Sequence, residues 1–376
     1  MTPKQGNDQD ATLVVGFATS ARRAIRRRLL AWYDKNQRDL PWRRRPNDGY
    51  AQLLAEFMLQ QTQVATVVDY YERFLKRFPT LKKLAAADLD DVLALWSGLG
   101  YYRRARNLHA TARAIVEQHK GKVPATVDVL MTLPGIGRYT AGAIASIAYD
   151  TRAPVLDGNV TRVLARMQAI ETDPKSPQVQ SHLWELADVL LPAKRCGHFN
   201  QALMELGATI CLPRTPLCAP CPLRSHCQAH KQNRTNQIPT PGPRTKALAV
   251  HWTVAAVQQG NRLLFVQRPP TGLWANLWEL PSEPIKKGEP RQAAKRRLQK
   301  RLPVNCRLTK ASAEGVTRQL SHRTITFHIY TAKRPTSHAT SSTNNQPHLW
   351  ATPADLRNIG MSRACQAVLK HLNWIR

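Results

Sequence analysis

The sequence predicts a multidomain chain in which an all-α domain is followed by a smaller α+β domain. Three observations carry this expectation. From Arg22 to about Cys227 apolar residues recur with a helical period, and β-branched alternation is scarce. The stretch "HKQNRTNQIPTPGPRTK" then breaks the pattern with polar residues, prolines and a basic end. Beyond it the period becomes strand-like. At 376 residues the chain is long enough for two domains with a sizeable core in each. The expected boundaries are a disordered extension over 1–21, a helical domain over 22–229, a linker over 230–247 and an α+β domain over 248–376.

In the helical part, "SARRAIRRRLLAWYDKNQ", "LDDVLALWSGLG", "RARNLHATARAIVEQHK" and "SHLWELADVLLP" read as helices, with Gly and Pro marking the turns. The stretch "YAQLLAEFMLQQTQVATVV" differs, because its apolar side chains spread round nearly the whole helix, as in one buried on most sides. Glu56 sits among them and shares a narrow strip with Gln60 and Gln63. A glutamate so placed is either paired or employed. After the linker, "ALAVHWTVAAVQQGNRLLFVQR" is two apolar runs around Gln-Gly-Asn, a hairpin signal. "PRQAAKRRLQKRL" reads as a helix, "RTITFHIYTAK" as an alternating strand and "SHATSSTNNQ" as a mobile loop.

The 55 Lys and Arg against 25 Asp and Glu give a formal charge of +30, far beyond what solubility requires. A polyanionic partner follows, and nucleic acid fits better than a membrane surface, since runs such as "ATLVVGFA" and "AGAIASIA" are too short to span a bilayer. The amino terminus leads into no signal-peptide core, so a cytoplasmic location is expected. Seven cysteines, four of them crowded together, point to metal binding in a reducing compartment and not to a disulfide framework.

"CLPRTPLCAPCPLRSHC" places Cys211, Cys218, Cys221 and Cys227 with six, two and five residues between successive cysteines. Four thiolates this close can wrap one small centre. Structural zinc more often uses two close pairs on separate knuckles, and only Cys218 and Cys221 form such a pair. A cubane iron–sulfur cluster held by cysteine alone fits the spacing better, with zinc as the alternative. Cys196, Cys306 and Cys365 read as plain thiols.

"LPGIGRYTAGAIASIAY" carries Gly135 and Gly137 in a tight turn that opens a helix, where exposed N–H groups can hold a phosphate. Many turns between helices look the same, so the basic context matters. Further on, "APVLDGNVTRVLARM" sets Asp157 before Gly158 and Asn159 at a helix start. Asp157 is there either as an N-terminal cap or as a carboxylate aimed at developing positive charge.

In this order, "LPGIG", Asp157 and the cysteine cluster resemble the endonuclease III superfamily of DNA glycosylases, whose catalytic domain is an all-α helix–hairpin–helix fold with an iron–sulfur loop. "EFMLQQTQVATV", "GLGYYRRARNLH" and the separate carboxy-terminal domain narrow the resemblance to its MutY family, from about Arg22 to the end. Lyase members carry a lysine two residues after the second hairpin glycine. This chain has Tyr139 there, and a phenol cannot form an imine.

The resemblance implies a monofunctional adenine glycosylase in base excision repair, acting as a monomer on double-stranded DNA with A:8-oxoguanine or A:G mispairs and holding one 4Fe–4S cluster on Cys211, Cys218, Cys221 and Cys227. It implies that Glu56 protonates adenine, at N7, and helps position the water. A desolvated carboxyl keeps its proton near neutrality. Asp157, at a polar turn, is expected to stay ionised and stabilise the oxocarbenium-like sugar. Tyr139 and Asn159 support that site by the same resemblance, and Arg38 contacts the base pocket. Gln60 or Gln61 and Tyr101 fill the gap left by the flipped base.

The carboxy-terminal domain resembles Nudix hydrolases, but "AKRRLQKRL" stands where their acidic magnesium-binding helix belongs, which excludes phosphohydrolysis. The family resemblance assigns Ser321 and His322 to reading 8-oxoguanine, with Leu320 in place of the family phenylalanine. The alternatives are a glycosylase with lyase activity on oxidised pyrimidines and a non-catalytic DNA-damage sensor.

Overall fold

The structure is a computed structural model that describes residues 17–240, 247–310, 315–320, 322–333 and 346–375. Its helices begin with α1 (Thr19–Asn36), α2 (Gly49–Leu59), α3 (Val64–Arg77), α4 (Leu81–Ala85), α5 (Leu89–Trp96) and α6 (Arg103–His119). They continue with α7 (Val127–Met131), α8 (Arg138–Tyr149), α9 (Gly158–Gln168), α10 (Pro177–Leu190), α11 (Cys196–Thr209) and α12 (Gln228–Lys231). The α+β part follows as β1 (Leu248–Gln259), β2 (Arg262–Gln267), β3 (Trp278–Glu279), β4 (Ser282–Pro284), α13 (Arg291–Arg301), β5 (Thr309–Lys310), β6 (Val316–Gln319), β7 (Arg323–Lys333), β8 (His348–Ala351) and α14 (Arg363–His371). Among the described residues no helix is long and apolar enough to cross a membrane.

The described residues form two compact units whose limits differ from the boundaries read in the sequence. One combines those of Met1–Glu56 and Gln118–Pro243, the other those of Phe57–Glu117 and Arg244–Arg376. The reason is spatial packing that composition does not register, since helices α3 to α6 join the carboxy-terminal domain.

In the first unit, Ile25, Leu29 and Tyr33 recur on one face of α1 and pack into a core shared with α9, α10 and α11. The helical part starts at Thr19, ahead of the expected Arg22, and residues 1–16 of the expected extension lie outside the described residues. Residues 230–240 are not an extended linker. Ile238 is buried, and its carbonyl accepts from Arg166 Nε at 2.8 Å. Thr240 Oγ1 donates to the Glu171 carbonyl at 2.5 Å, and Arg234 pairs with the Glu171 carboxylate. One apolar side chain and one buried guanidinium outweigh the polar composition. The rest of the linker, apart from Ala247, lies outside the described residues.

Helix α2 is enclosed as the sequence suggests, with Leu53, Leu54, Ala55, Phe57 and Met58 all fully buried. It nevertheless stops at Leu59. Gln61 takes a left-handed φ of 56°, Thr62 N–H closes onto the Leu59 carbonyl at 3.1 Å, and Gln63 stands at the N-cap of α3. The strip of Glu56, Gln60 and Gln63 expected of one continuous helix is therefore broken. In the second unit, the buried Arg104 collects the carbonyls that this ending exposes, donating to Phe57 at 3.1 Å, Met58 at 2.8 Å and Gln60 at 2.5 Å.

The sheet of the second unit has the order β3-β2-β1-β7-β5, with β4 on β1, β6 on β7 and β8 on β2. Gly260 and Asn261 turn the β1–β2 hairpin, while β7 pairs parallel to β1 from Leu248↔Arg323 to Gln258↔Lys333. Strand alternation divides the core: Trp252, Val254 and Ala256 pack with the buried side of α14, and Ala255 and Val257 pack with Leu298 of α13. The "SHATSSTNNQ" loop, apart from Gln346, lies outside the described residues.

Candidate active site

Glu56 is 3% exposed in the middle of α2. One turn earlier, Gln52 donates Nε2–H to its Oε1 at 2.7 Å, whereas Oε2 is buried with no well-formed hydrogen bond. Burial pushes the Glu56 pKa up to about 7; the neighbouring Asp157 adds to the rise, and Tyr139 and Gln52 oppose it. Tyr139 comes from the first turn of α8, and its hydroxyl donates to Met204 Sδ at 3.4 Å. Burial, then Glu56, then Asp157 raise the phenol well above its ordinary pKa, so it stays neutral. One carboxyl, one phenol and one aspartate from three separated segments thus meet in the first unit.

Asp157 is the N-cap of α9, with Oδ1 accepting from Val160 N–H at 2.7 Å and Oδ2 from Asn159 Nδ2 at 3.2 Å. The cap and the candidate catalytic group are therefore one side chain. Its environment is less polar than the turn sequence suggests: burial raises the pKa against the hydrogen bonds from Val160 and Asn159 and the nearby Arg162. Burial thus raises both carboxyls, while hydrogen bonds from Val160 and Asn159 and the nearby Arg162 favour the charged form of Asp157.

Sequence reading missed Gln52, Arg162, Arg166 and Gly207. Gln52 lies four residues before Glu56, a spacing that signals contact on a helix. Arg162 Nη2 donates to Asn159 Oδ1 and to the Gly207 carbonyl, each at 2.8 Å, and its Nε donates to the Cys211 carbonyl at 2.8 Å. No short-range signal marks Gly207, which lets α11 approach α9: a Cβ there would stand 2.7 Å from Asn159 Cβ and 3.1 Å from the Asn159 backbone. Gly207→Ala is therefore expected to displace Asn159 with Asp157, destabilising by about 1–3 kcal/mol and slowing single-turnover excision by about tenfold or more. Thermal melts together with single-turnover kinetics check both effects.

The remaining expected residues are distributed more widely. The Arg38 guanidinium grips Glu205 with hydrogen bonds of 2.6 and 3.0 Å, its backbone N–H adds a third at 3.2 Å, and Arg43 joins at 2.9 Å. Burial raises the Glu205 pKa, but these guanidiniums outweigh it and hold the carboxylate below its ordinary value. The α7–α8 hairpin is anchored by buried Leu133 and Ile136. Gly135 needs its φ of 75°, and at the α8 N-cap nothing lies within 4 Å of where a Gly137 side chain would start. In the second unit Gln60 is half-buried and Gln61 exposed, while Tyr101 is 44% exposed with the Arg104 guanidinium 5.3 Å from its ring centroid. His322 is exposed and its carbonyl accepts from Leu248 N–H at 3.0 Å; Ser321 lies outside the described residues.

The four loop cysteines are electrostatic neighbours. Burial first, and then the other three thiols, push Cys221 up to about 11, and Cys211 and Cys218 act on Cys227 in the same sense. Arg166, 2% exposed, donates to Cys211 Sγ at 3.2 Å and to the Leu212 and Pro213 carbonyls at 2.7 and 2.9 Å. Among the described residues no three His, Cys, Asp or Glu groups close on a single metal ion. An all-cysteine donor set fits an iron–sulfur centre in composition.

This fold and site define a DNA glycosylase of the helix–hairpin–helix class with an appended Nudix-type domain. Residues 54–188 match the HhH-GPD superfamily base excision DNA repair proteins, and residues 253–371 match the NUDIX domain. A thermostable thymine-DNA glycosylase structure is 28% identical with a TM-score of 0.51, covering 57% of this chain and 98% of that one. The chain is also 40% identical to the adenine DNA glycosylase of Rattus norvegicus over 92% of its own length and 77% of the relative's. The Schizosaccharomyces pombe adenine DNA glycosylase is 31% identical, covering 92% of this chain and 88% of the relative. The chain belongs to the adenine DNA glycosylase family, enzymes of base excision repair that hydrolyse N-glycosidic bonds in DNA.

Proposed function

We propose that the enzyme removes adenine paired with 8-oxoguanine or guanine, without an efficient lyase step, and that Glu56 is the proton donor. The observation that carries this is a fully enclosed carboxyl with a pKa of about 7 that meets Asp157 and Tyr139 from two other segments of the chain. Glu56 gives its proton to a ring nitrogen of the extruded adenine as the bond to C1′ breaks. The electron pair leaves with the base, and cationic charge develops on the sugar beside Asp157. Water then adds to C1′ and returns a proton to Glu56, so the carboxyl is regenerated. Asn159 holds Asp157 in place, and the neutral Tyr139 hydroxyl occupies the position where a lyase would need an amine.

Extrusion needs the duplex to be held and the vacated space to be filled. The hairpin N–H groups at Gly135 and Gly137 suit a phosphate, and Gln60, Gln61 and the exposed Tyr101 suit the gap. Arg38 orders the wall of the base pocket from its seat on Glu205. Ser321 and His322 read the base opposite the target, and the enzyme works as a monomer. Cys211, Cys218, Cys221 and Cys227 hold one 4Fe–4S cluster, which when bound closes their loop as a structural staple.

The test compares duplexes carrying A opposite 8-oxoguanine, G and T under single turnover, with strand scission scored before and after alkali. Release from the first two, faster with 8-oxoguanine, and scission only after alkali are expected. Scission without alkali, trapped by borohydride as a covalent adduct, would contradict the monofunctional reading.

A further inference from the structure

The segment Ser97–Tyr101 is a turn in an unusual backbone state, with Gly98 at φ 94°, Gly100 at φ 80° and Tyr101 at φ 47°. A bulky aromatic residue at positive φ is held there only when its surroundings over-determine the conformation. Part of that restraint is local: Trp96 Nε1 and Arg104 Nη2 donate to the Gly100 carbonyl at 3.0 and 3.2 Å. The rest comes from the carboxy-terminal domain, within the same compact unit. The Met361 carbonyl accepts from Tyr102 Oη at 2.7 Å and from Ser97 Oγ at 2.9 Å, so a single acceptor grips both flanks of the turn. The Tyr102 hydroxyl in turn accepts from Gly98 N–H at 3.0 Å. Tyr102 and Met361 are both buried, at 5% and 2% exposed.

The acceptor itself is fixed. A Cβ on Gly360 would stand 2.8 Å from Leu93 Cβ on α5, so the backbone before Met361 lies directly against that helix, and the Gly360 carbonyl accepts from Trp278 N–H at 2.9 Å. Arg106 Nη1 also donates to the Ala275 carbonyl at 2.9 Å. The domain that carries the Nudix-type sheet is thus hydrogen-bonded to the turn that presents Tyr101.

We propose that Tyr102 is a positioning residue through which the carboxy-terminal domain sets the pose of Tyr101, making base extrusion depend on how that domain is seated. The inference rests on reading Tyr101 as the group that fills the duplex. Removing the phenol oxygen leaves the packing of Tyr102 intact but frees Gly98 N–H and half-releases Met361, so the turn can relax from its strained state.

The test is a double-mutant cycle on the full chain with an A:8-oxoguanine duplex, using Tyr102→Phe and Tyr101→Ala. Single-turnover excision is read together with 2-aminopurine fluorescence at the target adenine. Tyr102→Phe, which removes both hydrogen bonds of the hydroxyl, is expected to slow extrusion and excision by about fivefold or more, and to have no further effect once Tyr101 is alanine. The same factor in both backgrounds, or no effect in the wild-type background, would overturn the proposal while sparing the role of Tyr101. An unaffected Tyr101→Ala enzyme would instead sink the filling role and the proposal with it. Ser97→Ala repeats the cycle should Tyr102→Phe lower the melting temperature.

Discussion

Glu56→Gln is expected to slow single-turnover adenine release by about 10²- to 10⁴-fold, the range over which a positioned general acid acts, with duplex binding retained. Glutamine preserves the shape of the side chain and can still meet Gln52, so the loss reports the missing proton. The same substitution is expected to stabilise the protein at pH 8 and to do little at pH 5. The folded chain keeps the Glu56 proton up to about pH 7, whereas an unperturbed glutamate releases it near 4.5. Between these values the unfolded chain sheds a proton that the fold retains, so stability falls as pH rises through this window and stays low above it. At about 1.4 kcal/mol for each tenfold change in proton affinity, the cost at pH 8 reaches about 3 kcal/mol. Thermal melts of both proteins at pH 5 and pH 8 measure it. An equal melting temperature at pH 8 would mean that Glu56 is not held in a destabilising site.

Asp157→Asn is expected to cut the excision rate by about 10²- to 10³-fold, the cost of removing one preorganised electrostatic contact, while the melting temperature hardly moves. Asparagine is as good an N-cap as aspartate, so Val160 N–H keeps an acceptor and α9 keeps its start. What disappears is the charge beside the sugar. Because the Asp157 charge also helps to raise Glu56, the variant is expected to lose its remaining activity at lower pH than the wild type. A large fall in melting temperature with an unchanged rate per folded molecule would make Asp157 a cap and nothing more.

Much of this was legible in the sequence because the decisive signals are short-range. The hairpin glycines, the Asp157 cap position and the enclosed α2 all depend on neighbours within a few residues. The signal failed where a backbone break or a distant partner decides the outcome. Periodicity carried the polar strip past Leu59, although the left-handed Gln61 ends the helix before Gln63. Composition made residues 230–240 a linker because the buried guanidinium of Arg166, which fixes Ile238, lies 72 residues away. Asp157 was expected to stay ionised because its neighbours in sequence are polar, whereas burial raises its pKa. Arg162 and Gly207 act through partners 45 to 49 residues apart in the chain, which no local pattern marks.

The pH dependence of single-turnover glycosidic cleavage, measured from pH 5 to 9 with saturating enzyme on an A:8-oxoguanine duplex, tests the acid role of Glu56 most directly. A rate that is level at low pH and falls tenfold per pH unit above a midpoint near 7, with that limb absent from the residual activity of Glu56→Gln, is expected. A rate independent of pH across this range, or a limb that survives the substitution, would show that the proton reaching adenine does not come from Glu56.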